Sequence, residues 1–349
     1  MISADESANW RVCGLRQIDR IVFALEDFAR KANHSIEASI IWSDAVPPAE
    51  RNLPTRHSSS GFAFSDSRDG DVTIDTRTVL ARDSVTEALN GNRAAGKSLS
   101  STADIPAAEK WLVRRLGKPQ DGWVAKHIDR PISTVLTRVL LRARVKPLHA
   151  TIGAFLFALA GCAVLLRGSY IAILTGTLLF YAFSILDGCD GEIARALYAD
   201  SRAGAQLDLL FDTIANALFV ISLGVGLTAR SGEPLLFWEG VATAGLIAAS
   251  ELMLAGGAAD VDQVIVARHS GIYDRHARML GHSGAFVFGE RAVRFVVQVT
   301  KRDVAWLAFV LLAAIDAAAW ILHLSFIAAL VMTVLAALAI IRRRAARQK

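Results

Sequence analysis

Residues 187–212 read DGCDGEIARALYADSRAGAQLDLLFD and hold four aspartates, Asp187, Asp190, Asp208 and Asp212, between two apolar runs long enough to cross a bilayer. Charged groups are expensive at that depth, so carboxylates kept there point to function rather than packing. The first pair is three residues apart and the second four, spacings that set each pair on one face of a helix. Two facing helices then bring four carboxylates to one cavity. The stretch decides the expected fold: helices that span a membrane, gathered around an acidic centre.

The apolar runs on either side extend this reading. They place helices at about 149–166, 169–197, 204–229, 234–256, 304–321 and 323–342, each near the ~20 residues a hydrocarbon core requires. The expected fold class is an all-α six-helix transmembrane bundle over 148–345. A linker with juxtamembrane amphipathic helices precedes it over 101–147, and a small soluble α/β domain over 1–100. Within 104–147, Trp111, Leu112, Leu116, Trp123, Ile128 and Val135 alternate with many Lys and Arg. That pattern suits a helix lying in the headgroup region, or a surface helix packed on the membrane domain. Six crossings leave both termini on one side, together with Arg342–Arg344 and the basic run from Arg268 to Arg302. The short loops near Arg167–Gly168 and Ala229–Pro234 carry little positive charge. The asymmetry predicts cytoplasmic termini and an acidic site at the cytoplasmic face of the inner membrane.

Composition agrees. The chain has 349 residues, 53% hydrophobic and 20% charged, with a formal net charge of +5 and a mean hydropathy of +0.38. The basic residues cluster beside apolar runs, which suits an anionic lipid surface. No basic stripe is interleaved with aromatics, so nucleic-acid binding is not expected. The three cysteines, Cys13, Cys162 and Cys189, form no CxxC pair and read as small buried apolar residues. The first residues, MISADESANW, lack the charged start and apolar core of a cleavable signal peptide.

Residues 1–100 read as α/β. Leu15, Ile18, Ile21, Val22, Leu25 and Phe28 recur at helical spacing. SIEASIIW reads as a strand, and two short strands flank the turn residues Asp69–Gly70. DSVTEALN reads as a short helix opened by an N-cap-like Asp83.

The central run matches D-x2-D-G-x2-A-R-x8-G-x3-D-x3-D at Asp187, Asp190, Gly191, Ala194, Arg195, Gly204, Asp208 and Asp212. It resembles the signature of the CDP-alcohol phosphotransferase family, and the residues leading into it are similar to the inositol-phosphate-transferring branch. The resemblance implies a metal-dependent transferase. Asp187 and Asp208 would bridge two ions of Mg2+ or Mn2+, Asp190 would bind the first, and Asp212 would bind the second and act as general base. Four carboxylates suit such hard cations on chemical grounds as well. Gly191 and Gly204 read either as sites of close helix packing or as sites where a ligand nears the backbone. The resemblance assigns them, with Arg195 and Ser201, to the nucleotide of a CDP-linked donor.

The implied partners are that donor, a hydroxyl-bearing acceptor with or without a phosphate, membrane lipid, and a second copy of the chain in a homodimer. The donor is CDP-diacylglycerol or CDP-inositol. Where many relatives carry T-P-N-x-x-T, this chain has Lys146, Pro147, Leu148, His149, Ala150 and Thr151. The amino-terminal segment weakly resembles an inactive nucleotidyltransferase whose start, with its glycine-rich triphosphate loop, has been lost. An unrelated α/β domain is the alternative there. A cation transporter is an alternative for the whole chain, because intramembrane carboxylates also form ion pathways, and a non-catalytic membrane scaffold is another. Between the fourth and fifth runs, Arg268, His269, Arg275, His276, Arg278, Arg291, Arg294, Lys301 and Arg302 read as membrane topology or as a pocket for a phosphorylated acceptor.

Overall fold

A computed structural model describes residues 1–51, 61–65, 71–92, 95–117, 121–256 and 302–347. The basic run from Arg268 to Lys301 and the Asp69–Gly70 turn lie outside these residues. The described chain divides into two units, each treated by itself. The first is Met1–Gly117, Thr134–Pro147 and Cys189–Asp200. The second is Lys118–Ser133, Leu148–Gly188 and Ser201–Lys349.

In the first unit a parallel sheet runs in the order β5-β1-β7, with β1 (Ile2–Ala4) central, β5 at Ile40–Trp42 and β7 at Ile74–Asp75. Ile2 faces Ile40 on one side and Ile74 on the other. Helix α1 (Gln17–Ala32) connects β1 to the sheet's edge and ends on Asn33, whose left-handed backbone (φ 53°) directs its N–H to Ala29 O. Left-handed geometry at a helix end suits asparagine. The apolar spacing read in the sequence is the buried face of this helix: Ile21, Val22 and Leu25 close the core against Ile2, Ile74 and Leu80. Each such side chain, fully buried, contributes ~1.5–3 kcal/mol.

The segment read as one strand, SIEASIIW, is two: β4 (Ile36–Ala38) pairs with β6 (Phe62–Phe64), while β5 joins β1. Ser39 separates them, and its carbonyl accepts the N–H of Ile2 (2.7 Å). A strand, β1, precedes α1. The loop that follows β1 opens with Asp5 and Glu6 and holds one glycine, Gly14. Within it β2 (Arg11–Val12) and β3 (Leu15–Arg16) form a hairpin through Cys13 and Gly14, both at positive φ (49° and 80°), as a two-residue primed turn requires. The short helix α2 (Val85–Leu89) starts on Ser84 rather than Asp83. Ser84 Oγ accepts the N–H of Ala81 at 3.1 Å. Helix α3 (Ile105–Arg114) and helix α4 (Arg130–Arg142) follow. On α4, Ile132, Val135 and Val139 remain exposed, an apolar stripe at i, i+3 and i+7.

The second unit is built from apolar helices. Among the described residues five are long and apolar enough to cross a membrane: α5 (Pro147–Leu165), α6 (Tyr170–Ala196), α7 (Arg202–Ser231), α8 (Pro234–Gly256) and α10 (Ala318–Arg347). This is the make-up of a multi-pass membrane protein. Among the described residues the expected fifth span at 304–321 is interrupted after Ala314. Helix α9 occupies Arg302–Ala314, 13 residues, ~20 Å at 1.5 Å per residue. It stops because Asp316 turns to φ 61°, where its carboxylate grips Arg230 of α7 in a double ion pair, 2.6 Å at Nη2. The last helix therefore begins at Ala318, five residues earlier than expected.

Small residues let these helices touch backbone to backbone. A Cβ on Gly224 would lie 2.7 Å from Leu236 O, and one on Gly240 would lie 2.6 Å from Val220 O. Helices α7 and α8 thus meet face to face through glycines. Phe180, Phe219 and Trp306 then lock α6, α7 and α9, with ring centroids 4.6–5.0 Å apart.

Candidate metal centre

The aromatic lock sits two turns before Asp187 on α6, two turns after Asp212 on α7 and one turn after Arg302 on α9. It therefore fixes the three helix ends that carry charge. On α7, Asp208 and Asp212 are one turn apart and share a face. Carboxylate oxygens of Asp187, Asp208 and Asp212 lie within 4.8 Å of one another. Asp212 is buried and Asp187 and Asp208 are partly so. Three like charges at this range repel strongly in a medium poorer than water at screening them. They call for a cation.

Arg302 answers in part. Its Nη2 meets Asp187 Oδ2 and its Nη1 meets Asp212 Oδ2, both at 2.6 Å, while Nε reaches Ser184 Oγ at 3.2 Å. Three carboxylates against one guanidinium leave the cluster net negative. An all-oxygen, net-negative donor set fits Mg2+ or Mn2+. Sequence reading put Arg302 with the basic run. The structure puts it inside the acidic cluster. Its partners are 115 and 90 residues away, so no local spacing could reveal the contact.

The other expected site residues take these positions. Asp190, three residues past Asp187 on α6, is buried and is not among the three carboxylates whose oxygens meet. Ser201 is the N-cap of α7: its Oγ accepts the N–H of Gly204 at 3.0 Å. That bond satisfies one of the helix's free amides and gives both residues a local structural role. A Cβ on Gly191 would stand 3.1 Å from Arg195 Nη1, so the glycine makes room for that guanidinium. Arg195 Nε donates to Leu116 O at 3.0 Å, and its side chain lines a cavity of the first unit. Pro147, from the altered lead-in, is the first residue of α5, where its missing N–H costs nothing. All three cysteines are buried and free, and burial pushes the Cys13 thiol up to about 12.

No protein-family model matches the chain. Similarity to curated proteins is clear over a third of it. The chain is 35% identical over 137 residues, 38% of its length, to a protein of Rubrobacter xylanophilus named bifunctional IPC transferase and DIPP synthase. Proteins of the same name from Thermococcus kodakarensis and Archaeoglobus fulgidus are 31% and 35% identical over 39% and 34% of the chain. The matches span 31%, 30% and 23% of those relatives' own lengths. The resemblance to the inositol-phosphate branch of the CDP-alcohol phosphotransferases, read from residues 187–212, is shown by these relatives for that share of the chain.

Proposed function

We propose that the chain is an integral-membrane CDP-alcohol phosphotransferase, which moves a phosphoryl-alcohol group from a CDP-linked donor to an acceptor hydroxyl and releases CMP. The observation that carries the reading is the meeting of Asp187, Asp208 and Asp212 from two helices. The names of the similar proteins, a transferase and a synthase, support it. Asp190 completes the ligand set, and two Mg2+ or Mn2+ ions are the proposed cofactors. When bound, such ions offset charge on the donor's pyrophosphate and make a nearby hydroxyl more acidic.

The chain's own residues do the rest. Asp212, fixed at the protected end of the aromatic lock, accepts the acceptor's proton. The freed oxygen forms a bond to the phosphorus that carries the donor alcohol, the bond from that phosphorus to CMP breaks, and CMP leaves with the electron pair. Gly191, Arg195, Ser201 and Gly204 are the proposed nucleotide contacts. Ser201 Oγ acts as an acceptor toward Gly204 N, which leaves its O–H able to donate to a phosphate. The proposed donor is CDP-inositol or CDP-diacylglycerol. We place the protein in the inner membrane as a homodimer, with its termini and the acidic centre cytoplasmic.

The test is CMP release by the full-length protein given CDP-inositol or CDP-diacylglycerol with an inositol-phosphate acceptor and Mg2+ or Mn2+. Asp212→Asn should lower the rate by at least ~100-fold, the reach of a general base. Absence of CMP from every donor with the unaltered protein would end the proposal.

A further inference from the structure

Arg20 holds a charge deep inside the first unit. Its side chain is 1% exposed. Nη1 donates to Ala196 O (3.2 Å), Nη2 donates to Val12 O (2.7 Å), and Nε is buried without a hydrogen-bond partner. The hydrogen bonds it makes are to backbone carbonyls, not to acids. Ala196 ends α6, so the negative end of a helix offsets part of the charge. A guanidinium does not shed its proton when buried, so the remainder needs an anion.

Space for one lies alongside. A cavity of about 150 Å³ is lined by Arg20, Arg82, Arg115, Arg195 and Tyr198. The share of one water in the liquid is ~30 Å³, so a phosphate group fits with room for a small carbon skeleton. Arg82 binds Asp200, and its Nε, buried without a hydrogen-bond partner, stands 3.9 Å from Asp27 Oδ2. Arg115 lines the cavity as well, 3.5 Å from Asp83 and with its guanidinium 4.8 Å from the centre of the Trp111 ring. Tyr198 adopts φ 51°, a backbone conformation costly for a bulky residue, and its ring lies 4.5 Å beneath the Arg82 guanidinium. That conformation belongs to the left-handed turn that closes α6, where Ala199 N–H donates to Ala194 O at 2.9 Å, and it leaves Tyr198 in the cavity wall.

We infer that this cavity binds a phosphate-bearing anion, with its oxygens on Arg20, Arg82 and Arg115 and its carbon part against Leu112 and Tyr198. Several planar forks converging on one space suit the multiple oxygens and charge of a phosphate better than a single carboxylate. The acidic cluster takes no part in this site, which meets the transferase reading only at Arg195, one of the cavity's lining residues. The anion comes either from a soluble phosphate compound or from a lipid headgroup.

Calorimetric titration of the full-length protein in detergent, with a chelator present, tests the inference. One arm uses inorganic phosphate and the other a short-chain phosphatidic acid, and the arm that saturates identifies the source. Arg115→Ala should weaken that binding at least ~10-fold, as loss of a charge-assisted pair implies, and Arg20→Met should abolish it. Asp208→Asn should leave it unchanged, which separates this result from any failure of the acidic centre. If Arg20→Met does not fold, Arg115→Ala carries the test. Saturation in neither arm, equal binding of acetate, or binding undiminished in the arginine variants would overturn the inference and leave Arg20 as a helix-end cap.

Discussion

Arg302 occupies the space between two carboxylates that a divalent cation would also seek. Cation and guanidinium compete for the same oxygens, so metal entry requires the arginine to withdraw. Arg302→Gln should therefore tighten Mn2+ binding by on the order of tenfold, a modest share of a close charge–charge term. Electron paramagnetic resonance of free Mn2+ would read it, and unchanged or weaker affinity would mean the arginine does not compete. A second acid makes a pH prediction. Asp27 is buried, but Lys31 (2.6 Å), Arg30 (2.7 Å) and Arg82 (3.9 Å) surround it. Burial raises its carboxyl, and the hydrogen bond and charge of Lys31, with Arg82 and Arg30, outweigh burial and hold it below the ordinary 3.8. A lowered folded value means that the carboxylate stabilises the fold above the ordinary value and that this contribution is lost as pH falls through the folded one. Asp27→Asn should cost ~1–3 kcal/mol at pH 7. Thermal unfolding of variant and parent should converge below pH ~4.

At the scale of elements, glycine contacts set the spacing of α7 and α8. Gly240→Leu would press a side chain onto Val220 O and should destabilise the helix pair by ~1–3 kcal/mol or more, as overpacking does. A lowered midpoint in detergent melts checks it, and a melt equal to the parent's would show slack between the helices. The helices were legible where a run was apolar from end to end. The break at Asp316 was not: the residue takes a left-handed backbone, and the arginine it pairs with, Arg230, is 86 residues away. The strand that split at Ser39 was hidden for a related reason: its halves pair with different neighbours, β5 with β1 and β4 with β6, and alternation within one strand carries no record of its partner.

For the whole molecule, the signature spacing announced the acidic centre because i, i+4 geometry is local. Bringing Asp187 to Asp208 and Asp212 needed only two adjacent helices. The cation that partners them needed tertiary structure and stayed invisible. Orientation follows from charge: basic residues flank the carboxy-terminal helix and should be retained on the cytoplasmic side. A reporter fused at the carboxyl terminus that is active only in the cytoplasm should be active, and a reporter active only in the periplasm should be silent. The reverse pattern would invert the proposed topology.

The glycine contact between α7 and α8 has one more consequence. Backbones that interlock without side chains between them cannot slide past each other, so the two helices act as a single lever. Asp208 and Asp212 ride on that lever. Trp306 of α9 is itself packed against Phe219 of α7, so any opening that admits a bulky nucleotide must hinge outside α7, α8 and α9.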